Sequence, residues 1–124
     1  MEQEDYLETL YKLTQTQERV GISDLARALN VSKPSVTQMM QRLNKEKLVI
    51  YKPYSDLKLT KKGQEIGKKV AERHQVLTDF FTILGIPHQT QEKDIHGIEH
   101  FLSNITLQKL QTLTDHLKKD NYQG

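Results

Sequence analysis

A chain of 124 residues, 35% hydrophobic and 27% charged, is long enough for one compact domain or two small ones, and too short for a large two-lobed enzyme. It contains no cysteine, which excludes disulfide frameworks, cysteine-ligated zinc fingers and thiol catalysis. No segment approaches the roughly 18 consecutive apolar residues of a membrane span. The opening residues Met1–Asp5 are polar and acidic, so neither a span nor a signal peptide is expected, and the expected compartment is the cytoplasm.

The net charge of +2 hides a strong asymmetry. Residues 1–30 carry 3 Lys/Arg against 6 Asp/Glu, residues 31–75 carry 11 against 4, and residues 76–124 carry 4 against 6. A basic middle between acidic flanks points to a polyanion partner for the middle section alone. All five histidines fall within residues 74–124.

In chain order, Tyr6, Leu7, Leu10, Tyr11 and Leu13 form one stripe at helical spacing, predicting a helix over residues 3–16. Residues 15–21 read as a loop, and residues 22–29 as a short helix capped by Ser23 or a neighbour. Asn30-Val31 interrupts the pattern, and Ser32-Lys33-Pro34 restarts it with a hydroxyl cap and a proline in the first turn. That helix runs to about Glu46 and buries Val36, Met39, Met40 and Leu43. Residues 48–51 and 57–59 are β-prone around a turn at 52–56, a small two-stranded hairpin. Thr60 caps a helix from Lys61 to about Ile83, roughly 35 Å long. Gly85-Ile86-Pro87 ends it, and residues 90–102 and 106–118 read as two further amphipathic helices divided near Ser103-Asn104.

A short helix, a tight turn, a second helix opening on Ser-x-Pro-Ser and a basic hairpin together make a helix-turn-helix with a wing. An α-helix fits the major groove, and its first residues reach base edges. The exposed positions of the second helix are Lys33, Pro34, Ser35, Thr37, Gln38, Gln41 and Arg42. Short hydroxyl and amide groups there suit bases, Pro34 suits a thymine methyl, and the cations suit phosphate. Lys52, Tyr54 and Lys58 on the wing would hold the DNA backbone, which positions the protein without specifying sequence. The bland alternative is a helical hairpin with an ordinary solvated, charged face.

His96, Glu99 and His100 stand at i, i+3 and i+4 and would project from one face of a continuous helix. Two neutral imidazoles and a carboxylate are a ligand-grade combination. On the same helix Ile95, Ile98, Phe101 and Leu102 are expected to pack inward. Taken singly, His74 reads as a solvated residue of a charged helix, and Asp5 and Glu8 as partners of a helix dipole. His88 and His116 read as surface residues, Tyr6 and Tyr11 as core.

Several motifs in fixed order resemble the DtxR family of metal-dependent repressors, most closely its manganese-responsive members, over nearly the whole chain. They are Glu4-Asp5-Tyr6-Leu7-Glu8, Ser32-Lys33-Pro34-Ser35-Val36-Thr37-Gln38, Leu59-Thr60-Lys61-Lys62-Gly63, Arg73-His74 and Gly97-Ile98-Glu99-His100-Phe101-Leu102-Ser103. The resemblance implies a mainly α homodimer. A winged helix-turn-helix over residues 1–62 would be followed by a helical dimerisation and metal-binding domain over 63–124. It implies no catalysis, and repression of transport genes from a palindromic double-stranded DNA operator.

Carried over by position, the metal ligands fall on Asp5, Glu8, His74, His96, Glu99 and His100. Asp5 stands where iron-responsive members have methionine, and hard carboxylate oxygen suits Mn(II), the expected cofactor; Zn(II), Fe(II) and Co(II) are the alternatives. Two departures stand out. Position 96 is histidine where manganese-responsive members have a glutamate able to bridge two ions, and Thr78 replaces a carboxylate one turn after His74. Larger members also carry an SH3-like domain, for which residues up to Gly124 leave no room. A winged-helix regulator that senses no metal is a second reading, distinguished by indifference to chelators. A metallohydrolase is a third, disfavoured by the lack of an HExxH motif and of a second domain to enclose substrate.

Overall fold

The computed structural model describes residues 2–124. Among them are helices α1 (Glu2–Thr16), α2 (Ile22–Leu29), α3 (Lys33–Lys45), α4 (Lys61–Ile83), α5 (His88–Ile98) and α6 (Asn104–Lys119), with strands β1 (Val49–Ile50) and β2 (Lys58–Leu59). The chain divides into two compact units, Met1–Ala71 and Glu72–Gly124, and α4 contributes its first half to one and its second half to the other.

In the first unit, local chemistry sets each helix boundary. α2 begins after Gly21, whose N–H donates to the Asp24 carboxylate at 2.8 Å, so the cap is Gly21 and not Ser23. Asn30 ends it in the left-handed conformation that asparagine tolerates. Ser32 caps α3 as its sequence predicts: its Oγ accepts from the Ser35 N–H at 3.2 Å, with Pro34 in the first turn. Thr60 likewise caps α4, accepting from the Gly63 N–H at 3.1 Å while donating to the Lys47 carbonyl at 2.7 Å.

The strands pair antiparallel, Val49 with Leu59 and Ile50 with Lys58. Leu57, expected in the second strand, lies outside it because its N–H goes to the Val20 carbonyl at 2.8 Å, which fastens the wing to the loop before α2. The core gathers Tyr6, Leu7 and Leu10 of α1, Leu25 of α2, Val36, Met40 and Leu43 of α3, and Val49 and Leu57 of the wing.

Close approach to α4 depends on glycine. A Cβ at Gly63 would stand 1.9 Å from the Leu48 carbonyl oxygen, and one at Gly67 would stand 2.6 Å from that of Leu7. Gly63→Ala forces backbone apart, at about 3 kcal/mol, while alanine returns about 1 kcal/mol of helix propensity. A net loss of about 2 kcal/mol is therefore expected in urea unfolding. A variant as stable as the parent would show that α4 does not sit this close.

The second unit packs α4, α5 and α6 around Leu77, Ile95 and Leu107, with Val76, Phe81, Leu102 and Leu110 beside them. The buried Gln91 amide donates to the Ile86 carbonyl at 2.8 Å and to Thr82 Oγ1 at 3.2 Å, tying α5 to the end of α4. The expected helix over 90–102 is displaced: α5 starts at His88 and stops at Ile98, and a turn carries residues 99–101. Ile98 and Phe101 do not pack inward as expected; they are 38% and 73% exposed, with Ile105 of α6 at 70%. Among the described residues no helix is long and apolar enough to cross a membrane.

Candidate metal centre and nucleic-acid interface

Glu99 organises the second unit's polar centre. The residue is 2% exposed, in the turn after α5, and its Oε2 lies 2.9 Å from Nδ1 of His74 on α4. Its Oε1 lies 3.4 Å from Nε2 of His100, whose side chain is also buried. A carboxylate withdrawn from water is costly unless charge or hydrogen bonds compensate it. Here the His74 imidazole hydrogen-bonds it and that of His100 lies alongside, both good ligands for a divalent cation.

His96, one turn earlier on α5, is exposed at its surface but offers a ligand atom within 4.8 Å of Glu99. His96, Glu99 and His100 do not lie on the one continuous helix that their spacing predicts. The helix ends before Glu99, so the turn, and not a continuous helical face, aims Glu99 and His100. His74, His96 and His100 each approach Glu99, and imidazole nitrogen with carboxylate oxygen suits a divalent transition metal.

Asp5 and Glu8 belong to the first unit, on α1. Glu8 is buried, with Lys12 Nζ at 3.0 Å one turn on, and Asp5 is half-buried. Tyr6 between them is core; burial, then the nearby Glu2 charge, raises the pKa of its hydroxyl. His88 pairs with Glu92 at 3.1 Å on the surface, and His116 is exposed.

On α3, Lys33, Pro34, Ser35, Gln38, Gln41 and Arg42 are exposed and Thr37 is half-buried, opposite the buried Val36, Met40 and Leu43. Ser35 is committed locally: its Oγ lies 2.8 Å from Ser32 Oγ, in the cap. Lys52 and Lys58 are exposed on the wing, and Tyr54 stands wholly exposed at its tip with a φ of 63°.

Arg73 was legible only as part of a motif. Its Nη2 donates to the carbonyls of Glu99 at 2.7 Å and Leu102 at 2.6 Å. The signal lay in the periodicity: Ile66, Val70, Arg73 and Leu77 share one stripe, and a cation on an apolar stripe must find acceptors there.

Residues 1–57 match the family model "Iron dependent repressor, N-terminal DNA binding domain", and residues 60–124 match "Iron dependent repressor, metal binding and dimerisation domain". The HTH-type transcriptional regulator MntR of Bacillus subtilis (strain 168) is 38% identical over 118 residues, covering 95% of this chain and 83% of that protein. The structure of the manganese regulator SloR is similar with a TM-score of 0.77 at 25% identity, and that of ScaR with bound Zn2+ with 0.71 at 28%. Each covers 91% of this chain, which spans about half of theirs, 53%. The chain belongs to the iron-dependent repressor, or DtxR, family of metal-dependent DNA-binding regulators.

Proposed function

We propose that this chain is a homodimeric repressor that binds a palindromic operator when Mn(II) is plentiful and so controls metal-transport genes. The observation that carries this is the buried Glu99 carboxylate between His74 and His100, within the residues matched by a metal-binding and dimerisation domain. Asp5 and Glu8 of α1 complete the ligand set in this reading, and His96 joins from α5. The MntR and SloR names support manganese. The third imidazole, and the Zn2+ bound in ScaR, favour a second reading, a zinc- or iron-responsive repressor of the same family.

A bound divalent cation supplies the positive charge that lets several carboxylates share one site. Without it, Asp5, Glu8 and Glu99 bring three like charges to one ligand set. α1 is tied to the recognition helix in two ways. Tyr6, Leu7 and Leu10 share a core with Val36, Met40 and Leu43, and Gln3 Nε2 donates to Glu46 Oε2 beyond the end of α3 at 2.5 Å. Fixing Asp5 and Glu8 therefore fixes the helix that bears Gln38 and Arg42. Two recognition helices held at one spacing match successive major grooves. A coupling of about 1–3 kcal/mol gives about 5- to 150-fold tighter DNA binding.

The test is binding to DNA selected from a random pool, starting from chelated protein and titrating Mn(II), Fe(II), Co(II) or Zn(II) with bound ions counted. Affinity that ignores both chelator and metal would overturn the reading. On the selected site, Gln38→Ala is expected to relax base preference. Lys58→Ala should weaken all sequences alike and reduce the salt slope by about one. Equal losses on selected and random DNA for Gln38→Ala would remove Gln38 from base contact.

A further inference from the structure

Consecutive residues of α4 hold Glu99 at both ends. The Arg73 guanidinium takes its backbone carbonyl at 2.7 Å, and the His74 imidazole meets its carboxylate at 2.9 Å. Arg73 also takes the Leu102 carbonyl at 2.6 Å, so one nitrogen bridges the two ends of the turn Glu99-His100-Phe101-Leu102. The turn needs such a brace. α5 stops at Ile98, and carbonyls at and beyond a helix C-terminus have no partner within the helix. A cation beside a cation site is electrostatically unfavourable on its own. Arg73 engages backbone carbonyls, which leaves the Glu99 carboxylate to the imidazoles.

We infer that Arg73 is a positioning residue for the metal centre: it holds the Glu99–Leu102 turn so that Glu99 and His100 converge with His74. This rests on the metal reading above. Its effect is geometric, through the backbone at the two ends of the turn that carries Glu99 and His100, and resembles the outer partners that orient ligands at other metal sites.

The experiment uses the full chain and Co(II) alone, whose ligand-field absorption reports the geometry around the ion. The parent, Arg73→Met and Arg73→Lys are compared at a temperature where circular dichroism shows each folded. Arg73→Met is expected to bind Co(II) about 10- to 100-fold more weakly and to shift the ligand-field band. Arg73→Lys should fall between, since an ammonium still donates to a carbonyl but on a shorter arm. Should Arg73→Met not fold, the Arg73→Lys band decides alone. An altered band supports the positioning role; a parent-like band overturns it, whatever the melting temperature. A parent that fails to bind Co(II) would overturn the metal reading and this inference together. A parent that binds, with a variant band identical to its own, overturns this inference only.

Discussion

Phe101→Asp is expected to turn the protein from a dimer into a monomer at micromolar concentration while leaving its helices intact. The second unit leaves Ile98 at the end of α5, Phe101 in the following turn and Ile105 in the first turn of α6 open to water, Phe101 and Ile105 at 73% and 70% exposure. Its own core of Leu77, Ile95 and Leu107 does not use them. In a chain whose residues 60–124 match a dimerisation domain, a second copy is the occupant that such a face fits. A twofold interface uses the same patch from both partners, so one substitution acts twice. Burying a phenylalanine contributes about 1.5–3 kcal/mol. Losing two therefore removes about 3–6 kcal/mol, or at least about a hundredfold in dissociation constant, before the cost of two desolvated carboxylates. Sedimentation equilibrium with and without Mn(II) checks this. A Phe101→Asp protein that stays dimeric would place the interface elsewhere.

That face also marks where sequence reading stopped. Helical periodicity assigns every apolar residue of a stripe to one core, and Ile95 and Leu102 do pack in the unit's own core. Ile98 and Phe101 follow the same period yet belong to a second apolar surface, and nothing in a single chain's pattern separates the two. Helix starts were legible because their signals are local: Ser32 before Pro34, and Thr60 before Gly63, each capped within three residues. The end of α5 was not, because its turn is braced by Arg73, 26 residues earlier in the chain. The winged-helix pattern and the pairing of Glu99 with histidines were readable. That His74 meets Glu99 came from family resemblance, not from spacing.

Metal preference is expected to turn on His96. In the proposed ligand set the second unit would present three imidazole nitrogens and the single carboxylate of Glu99, and Asp5 and Glu8 would add hard oxygen. Nitrogen donors favour Zn(II), Co(II) and Fe(II) over Mn(II), and the order of affinities along the row points the same way. Zn(II) is therefore expected to bind more tightly than Mn(II) in vitro, and Mn(II) to act in cells through availability. An imidazole nitrogen, unlike a carboxylate with two oxygens, does not bridge two ions, so one strongly held ion per subunit is expected. His96→Glu changes both quantities. The new carboxylate is expected to raise the number of Mn(II) ions bound per subunit and to lower the Mn(II) needed for half-maximal DNA binding by about tenfold, about 1.4 kcal/mol. His96 is exposed on α5 and outside both hydrophobic cores, so the substitution should leave the fold unchanged and the comparison clean. Ion counting by mass spectrometry and a Mn(II) titration of DNA binding read the two effects separately. If neither the count nor the half-maximal concentration moves, His96 is not a ligand, and the nitrogen-rich account of this centre fails with it.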